Sequence, residues 1–193
     1  MTIDVPIELH GDRTGNCVRV SIALEETGLA YVVSRVDLSR GEQREARHLH
    51  LNPAGKVPTI VDRSCEPPLV LSQSNAILLY LAERSGSLLP WGNPAVKALA
   101  CERFFYFLTD VIAPNHAAFQ LRSLGRDGDS ARALQERSLM ALAAAERYLS
   151  EDEYMSGPEF GLADIAAVTI ALASADSLDW SQTPRLRRWY EKS

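Results

Sequence analysis

The 193-residue chain is poor in cysteine: Cys17, Cys65 and Cys101 are widely spaced and form no Cys-x-x-Cys pair. A disulfide framework or a structural zinc site needs more sulfur at closer spacing, so neither is expected, and a reducing cytoplasm is the default compartment. Histidine is scarce too. His48 and His50 alternate on a polar stretch with no further ligands nearby, so no metal is expected. Long apolar runs are missing as well. The stretch "IAAVTIALASA" (165–175) is far below the ~20 residues of a membrane span. The opening "MTIDVPIELHG" has neither the basic start nor the apolar run of a secretory signal, and no membrane partner is expected. Positive charge is in deficit, with 20 Lys and Arg against 25 Asp and Glu for a net charge of -5. No basic face is concentrated enough to displace phosphate counterions, which argues against nucleic acid as a partner.

What is present is an ordinary globular composition, 46% hydrophobic and 23% charged. "PIELH" (6–10) reads as a short strand, "GDRTGN" as a turn, and "CVRVSIALEETG" as a helix stopped by Gly28. "YVVSRVDL" from Tyr31 is a second strand. A polar, weakly helical stretch then ends at Asn52-Pro53, and "VPTIVD" and "PLVLS" are two strands joined by the loop "RSCEPP". A helix follows from about Ser74 to Arg84. The order β-α-β-α-β-β-α demands a mixed sheet with one right-handed parallel crossover and an antiparallel pair at its end. This domain spans 1–84. The linker, 85–94, is dense in Pro and Gly, and no strand is expected beyond it. The second domain, 95–193, carries helical periodicity over 95–122, 130–150, 162–178 and 184–192, with Pro114 expected to kink the first of these.

Two stretches carry chemistry of their own. "VPTIV" has a strand's β-branched content, but Pro58 cannot donate a ladder hydrogen bond; without other information a trans proline on an edge strand is the default. "SQSNAILLYLAE" opens a helix with Gln73 and Ser74, and a helix start offers unpaired N–H groups to a carboxylate. Ser72 or Ser74 as a plain N-cap is the competing reading.

With "TGNCVRV", "NPAGKVPTIV", "SQSNAILLYLAE", "GLADIAAV" and "PRLRRWYE" in this order, the chain resembles the glutathione S-transferases over nearly its whole length. The resemblance implies a thioredoxin-like first domain and an α-helical bundle as the second. It implies that Pro58 is a cis-proline, turning the N–H and C=O of Val57 outward to an extended peptide. The γ-glutamyl carboxylate of glutathione would meet Gln73 and Ser74, and Lys56 the glycyl carboxylate, with Gln43 in the same neighbourhood. The implied reaction adds the glutathione sulfur to a small hydrophobic electrophile, with no other cofactor, and the implied assembly is a homodimer.

The thiol must be held as thiolate. Thr14 is the first choice for its donor, assisted by Asn16 or the helix-start N–H groups, although the hydroxyl could instead turn inward as an N-cap. No tyrosine lies in this turn, since His10 ends the strand. Cys17 is the alternative thiol, through which the protein would act as a glutathione-dependent thiol-disulfide reductase. A non-catalytic interaction protein on the same scaffold is the remaining reading. Asp164 is expected to be structural, capping a helix whose N-cap is Gly161 where the family carries a hydroxyl residue. Among Phe104, Phe105, Tyr106 and Phe107 most rings should be core, and His116 could face a cleft.

Overall fold

The computed structural model describes residues 6–193; residues 1–5, part of the stretch in which no secretory signal is read, lie outside the described residues. The chain divides into two compact units between Ser87 and Leu88.

The first unit is built on strands β1 (Ile7–Gly11), β2 (Tyr31–Arg35), β3 (Thr59–Asp62) and β4 (Leu69–Ser72) in the order β2-β1-β3-β4. The β1–β2 pair is parallel and the other two pairs are antiparallel, which gives the mixed sheet that the element order demands. Helices α1 (Gly15–Thr27) and α3 (Ser74–Ser85) pack together, and the short α2 (Ala46–Leu51) follows two 3-10 turns. Period-2 alternation puts Ile7 and Leu9 in the core, where they join Val20, Leu24, Ile60, Ile77, Leu78 and Leu81, all buried. Val18, Val20 and Ile22 are indifferent helix formers, so α1 owes its stability to this packing, at about 1.5–3 kcal/mol per buried side chain. Gly28 ends α1 in the left-handed region at φ 64.

The register has a consequence for function. His10 pairs with Thr59, and Thr59 pairs with Ser72. The exit of β1, the approach to β3 and the exit of β4 therefore meet at one end of the sheet. Residues more than fifty positions apart in sequence are thereby gathered.

The described part of the second unit is helical: α4 (Pro94–Tyr106), α5 (Ala113–Ser123), α6 (Asp129–Ala144), α7 (Leu162–Ser174) and α8 (Pro184–Lys192). The helix expected over 95–122 is interrupted by a π-helical turn, Phe107–Ile112, after which α5 starts with Pro114 in its first turn. Proline has no N–H for the carbonyl one turn back, and the wider turn absorbs the mismatch. Ser138 donates to the Val111 carbonyl of this turn at 2.7 Å inside the core. Phe104 and Phe107 are fully buried while Phe105 is half exposed, and His116 is exposed.

Asp164 is structural, as expected. Its carboxylate accepts from the N–H groups of Met155, Ser156 and Gly161 and from the Trp189 indole, at 2.7–3.0 Å. Burial pushes this carboxyl above its ordinary range, against the pull of those donors. Gly161 is the N-cap, as expected, and the hydroxyl that the family carries at this position is supplied from elsewhere. Ser156 Oγ accepts the Ala163 N–H at 3.1 Å, and a Cβ on Gly161 would lie 2.8 Å from that oxygen and 2.7 Å from the Leu88 carbonyl. Glycine leaves the space in which a serine five residues earlier caps the helix.

Candidate active site

At the shared end of the sheet, the turn from β1 into α1 is tied down by Asp12. Its carboxylate accepts from the Arg13 and Leu38 N–H groups at 2.9 and 3.0 Å, and its carbonyl from the Thr14 N–H at 2.8 Å. These bonds, the Leu38 one foremost, hold the Asp12 carboxyl below its ordinary value. Thr14 is the N-cap of α1, and Oγ1 accepts from the Cys17 N–H at 3.2 Å. The inward-turned cap is thus realised, and it does not disqualify Thr14 as a donor: a hydroxyl that accepts an N–H keeps its own proton for a second partner. Asn16 is exposed on the same turn. Arg19, buried and lowered to about 10 by desolvation, donates to Asn16 Oδ1 at 2.9 Å, which leaves the Asn16 amide NH2 as a donor.

Cys17 does not reach the surface. It is 4% exposed, and a Cβ on Gly11 would come within 3.1 Å of its sulfur. Thiol exchange needs an accessible sulfur. The Cys17 alternative is therefore at odds with the structure: the helical period that brings residue 17 under the cap also turns its side chain into the core.

The Val57–Pro58 peptide is cis, as the resemblance implies. Val57 is half-buried and Pro58 buried, and among the described residues no turn or loop bond engages the Val57 N–H or C=O. Lys56 is exposed beside them. Gln43 belongs to this neighbourhood, since a Cβ on Gly55 (φ 59) would come within 3.2 Å of the Gln43 carbonyl. Its side-chain Oε1 is buried with no partner among the described residues.

The start of α3 departs from the plain-cap reading. Its N-cap is Gln73, which makes no side-chain cap bond, and the Ser72 hydroxyl is 3.0 Å from Thr59 Oγ1 across the sheet. Gln73 is exposed, with φ 76 and ψ 108, a conformation that L residues rarely adopt. Ser74 is buried at 7% exposure. The arrangement is a helix start with open N–H groups, a serine at its first position and a strained residue ahead of it. Such a place suits a carboxylate.

The sequence reading missed three residues here. His48 and Asn52 are buried, and both donate to the Lys56 carbonyl, at 2.9 and 2.8 Å. Asn75 Oδ1 is buried without a partner among the described residues. The polarity of 46–51 concealed His48, because a six-residue helix is too short to show which face is buried. Among the described residues no group of three or more His, Cys, Asp or Glu could hold a metal ion, and no helix is long and apolar enough to cross a membrane.

A mixed four-stranded sheet with a cis-proline ahead of β3 and an open helix start after β4 defines a thioredoxin-like domain. Residues 7–83 match the family model for the glutathione S-transferase N-terminal domain. The chain is 31% identical to glutathione S-transferase 3 of Zea mays over 202 residues, covering 96% of this chain and 88% of the relative. It is 28% identical to the disulfide-bond oxidoreductase YfcG of Escherichia coli K12, over 96% of this chain and 89% of the relative. A glutathione transferase family member from Pseudomonas fluorescens Pf-5, solved with two glutathione molecules bound, superposes with a TM-score of 0.87 at 25% identity, over 100% of this chain and 89% of that one. The chain belongs to the glutathione S-transferase family.

Proposed function

We propose that the first unit binds glutathione along Lys56, Val57, Pro58, Gln73 and Ser74, with Gln43 at its margin, and that Thr14 holds its sulfur as thiolate for attack on a small hydrophobic electrophile. The observation that carries this reading is the convergence set by the His10, Thr59 and Ser72 pairing: a hydroxyl with a spare proton, an unpaired backbone edge and an open helix start share one end of the sheet. The glutathione carried by the Pseudomonas relative supports the ligand.

The energy required is modest. Lowering a thiol by two pKa units takes about 2.7 kcal/mol of preferential thiolate stabilisation, and a hydrogen bond to a charged acceptor supplies about 1.5–3. The Thr14 hydroxyl alone covers most of that, and the Asn16 amide or the N-terminus of α1 covers the rest. Thr14→Val should raise the pKa of bound glutathione by about 1–2 units, read from thiolate absorbance against pH, at nearly unchanged affinity. An unchanged thiol pKa would remove Thr14 from the chemistry.

A second reading is favoured by the name of YfcG together with the burial of Cys17. In it both attacking sulfurs come from glutathione. A first thiolate attacks a disulfide, forms the mixed disulfide and expels one thiolate of the substrate. A second glutathione thiolate then releases the other thiol and leaves glutathione disulfide. Cys17→Ser should leave either activity intact. Assays with an activated aryl halide and with a small organic disulfide separate the two readings, and loss of disulfide reduction in Cys17→Ser would restore the Cys17 alternative.

A further inference from the structure

The Lys56 carbonyl sits one peptide ahead of the cis bond and receives two buried donors. His48 Nε2 lies 2.9 Å from it and Asn52 Nδ2 2.8 Å, on side chains 2% and 7% exposed. A carbonyl can only accept, so Nε2 is the donor in this bond. Nδ1 is buried with no partner among the described residues. It belongs to a ring that lines a cavity of about 190 Å³ together with His10, Ser34 and Leu51. A buried ring nitrogen without a partner costs the fold free energy that a phenylalanine or leucine would not. What the imidazole contributes in return is its bond to Lys56.

That bond acts on a neighbour. The Lys56 carbonyl and the Val57 N–H belong to one planar trans peptide, in which C=O and N–H point in opposite directions. Two donors fill both lone pairs of the oxygen and fix its direction, so the Val57 N–H must point away from His48 and Asn52. Hydrogen bonds at the carbonyl also polarise the peptide and make that N–H a stronger donor. Asn52 is itself locked, donating from its backbone to the His48 carbonyl at 2.8 Å and accepting the Ala54 N–H on Oδ1 at 3.1 Å.

We infer that His48 is a positioning residue for the tripeptide ligand: through the Lys56–Val57 peptide it aims the main-chain donor that the ligand's cysteinyl unit meets. The inference rests on the glutathione reading above. Two measurements on wild type, His48→Phe and His48→Gln test it: calorimetric titration with glutathione, and the Val57 amide ¹⁵N resonance of the free protein, which senses hydrogen bonding at the preceding carbonyl. Phenylalanine keeps the ring without the N–H, and glutamine restores a donor at similar reach. The dissociation constant should rise about three- to tenfold in His48→Phe, with Asn52 still in place, and return to within about twofold of wild type in His48→Gln. The glutathione KM should follow while kcat holds. Should His48→Phe not fold, His48→Leu is the second donor-free variant. Wild-type affinity in a folded donor-free variant, or failure of glutamine to rescue, overturns the inference. If the wild type itself binds no glutathione, the functional reading falls. The clamp is then judged by the Val57 resonance alone: a shift that glutamine reverses sustains it, and no shift ends it.

Discussion

Gln73→Gly should strengthen the fold and weaken the site. Gln73 is held at φ 76, ψ 108, where a side chain is crowded and glycine is free. Such strain costs about 1–3 kcal/mol, and glycine gives back about 0.5–1 through the entropy of the unfolded chain. The side chain is exposed and makes no cap bond, so little packing is lost. The net expectation is a gain of about 0.5–2 kcal/mol, a rise in the urea midpoint at unchanged slope. Glutathione affinity should fall about three- to tenfold if the glutamine supplies one ordinary hydrogen bond. Gln73→Ala separates the two effects, because it retains a Cβ. It should lose the same affinity without gaining stability. The reasoning fails if Gln73→Gly unfolds at lower urea than Gln73→Ala, since the backbone at this position would then carry no strain worth relieving.

Two further substitutions test the second unit and the sheet. Gly161→Ser restores a good N-cap residue and by cap preference should be neutral or mildly stabilising, yet its Cβ would overlap the Leu88 carbonyl and the Ser156 side chain. We expect a loss of about 2–3 kcal/mol by urea unfolding, and a variant as stable as wild type would show that the Ser156 cap is dispensable. Burial holds His10 below its ordinary value of 6.5, with His48 and Arg63 acting in the same sense and Glu8 against them. The unfolded chain therefore binds the extra proton first, so this contribution to stability is complete above pH 6.5 and is lost as pH falls through the folded value. Between pH 7.5 and 5.5 the wild-type melting temperature should drop more than that of His10→Gln, and parallel drops would exclude His10 as the cause.

Much of the fold is written in local patterns. Alternation in "PIELH", the helical spacing that Gly28 stops, and the density of helix formers after residue 94 are each decided within a few residues, because backbone sterics and one-sided burial act over that range. The cis peptide at Pro58 and the open start of α3 were reachable only because several motifs stood together in the right order, since proline alone argues for trans.

Other features have no local signature. Cys17 and Thr14 lie three residues apart on one turn, and nothing in "TGNC" says which of them faces the core until α1 packs against the sheet. The hydroxyl that bonds the first turn of α7 has no local signature for the same reason: it belongs to Ser156, five residues ahead of the Gly161 N-cap. His48 reads as polar surface in sequence and becomes a buried clamp once α2 closes over the segment before β3. From its own residues, then, the chain determined which segments are strands and helices and which short motifs offer donors. The tertiary structure decided which of those donors are buried, which are open and which meet, because strand register and side-chain direction follow from packing between segments that do not touch along the chain.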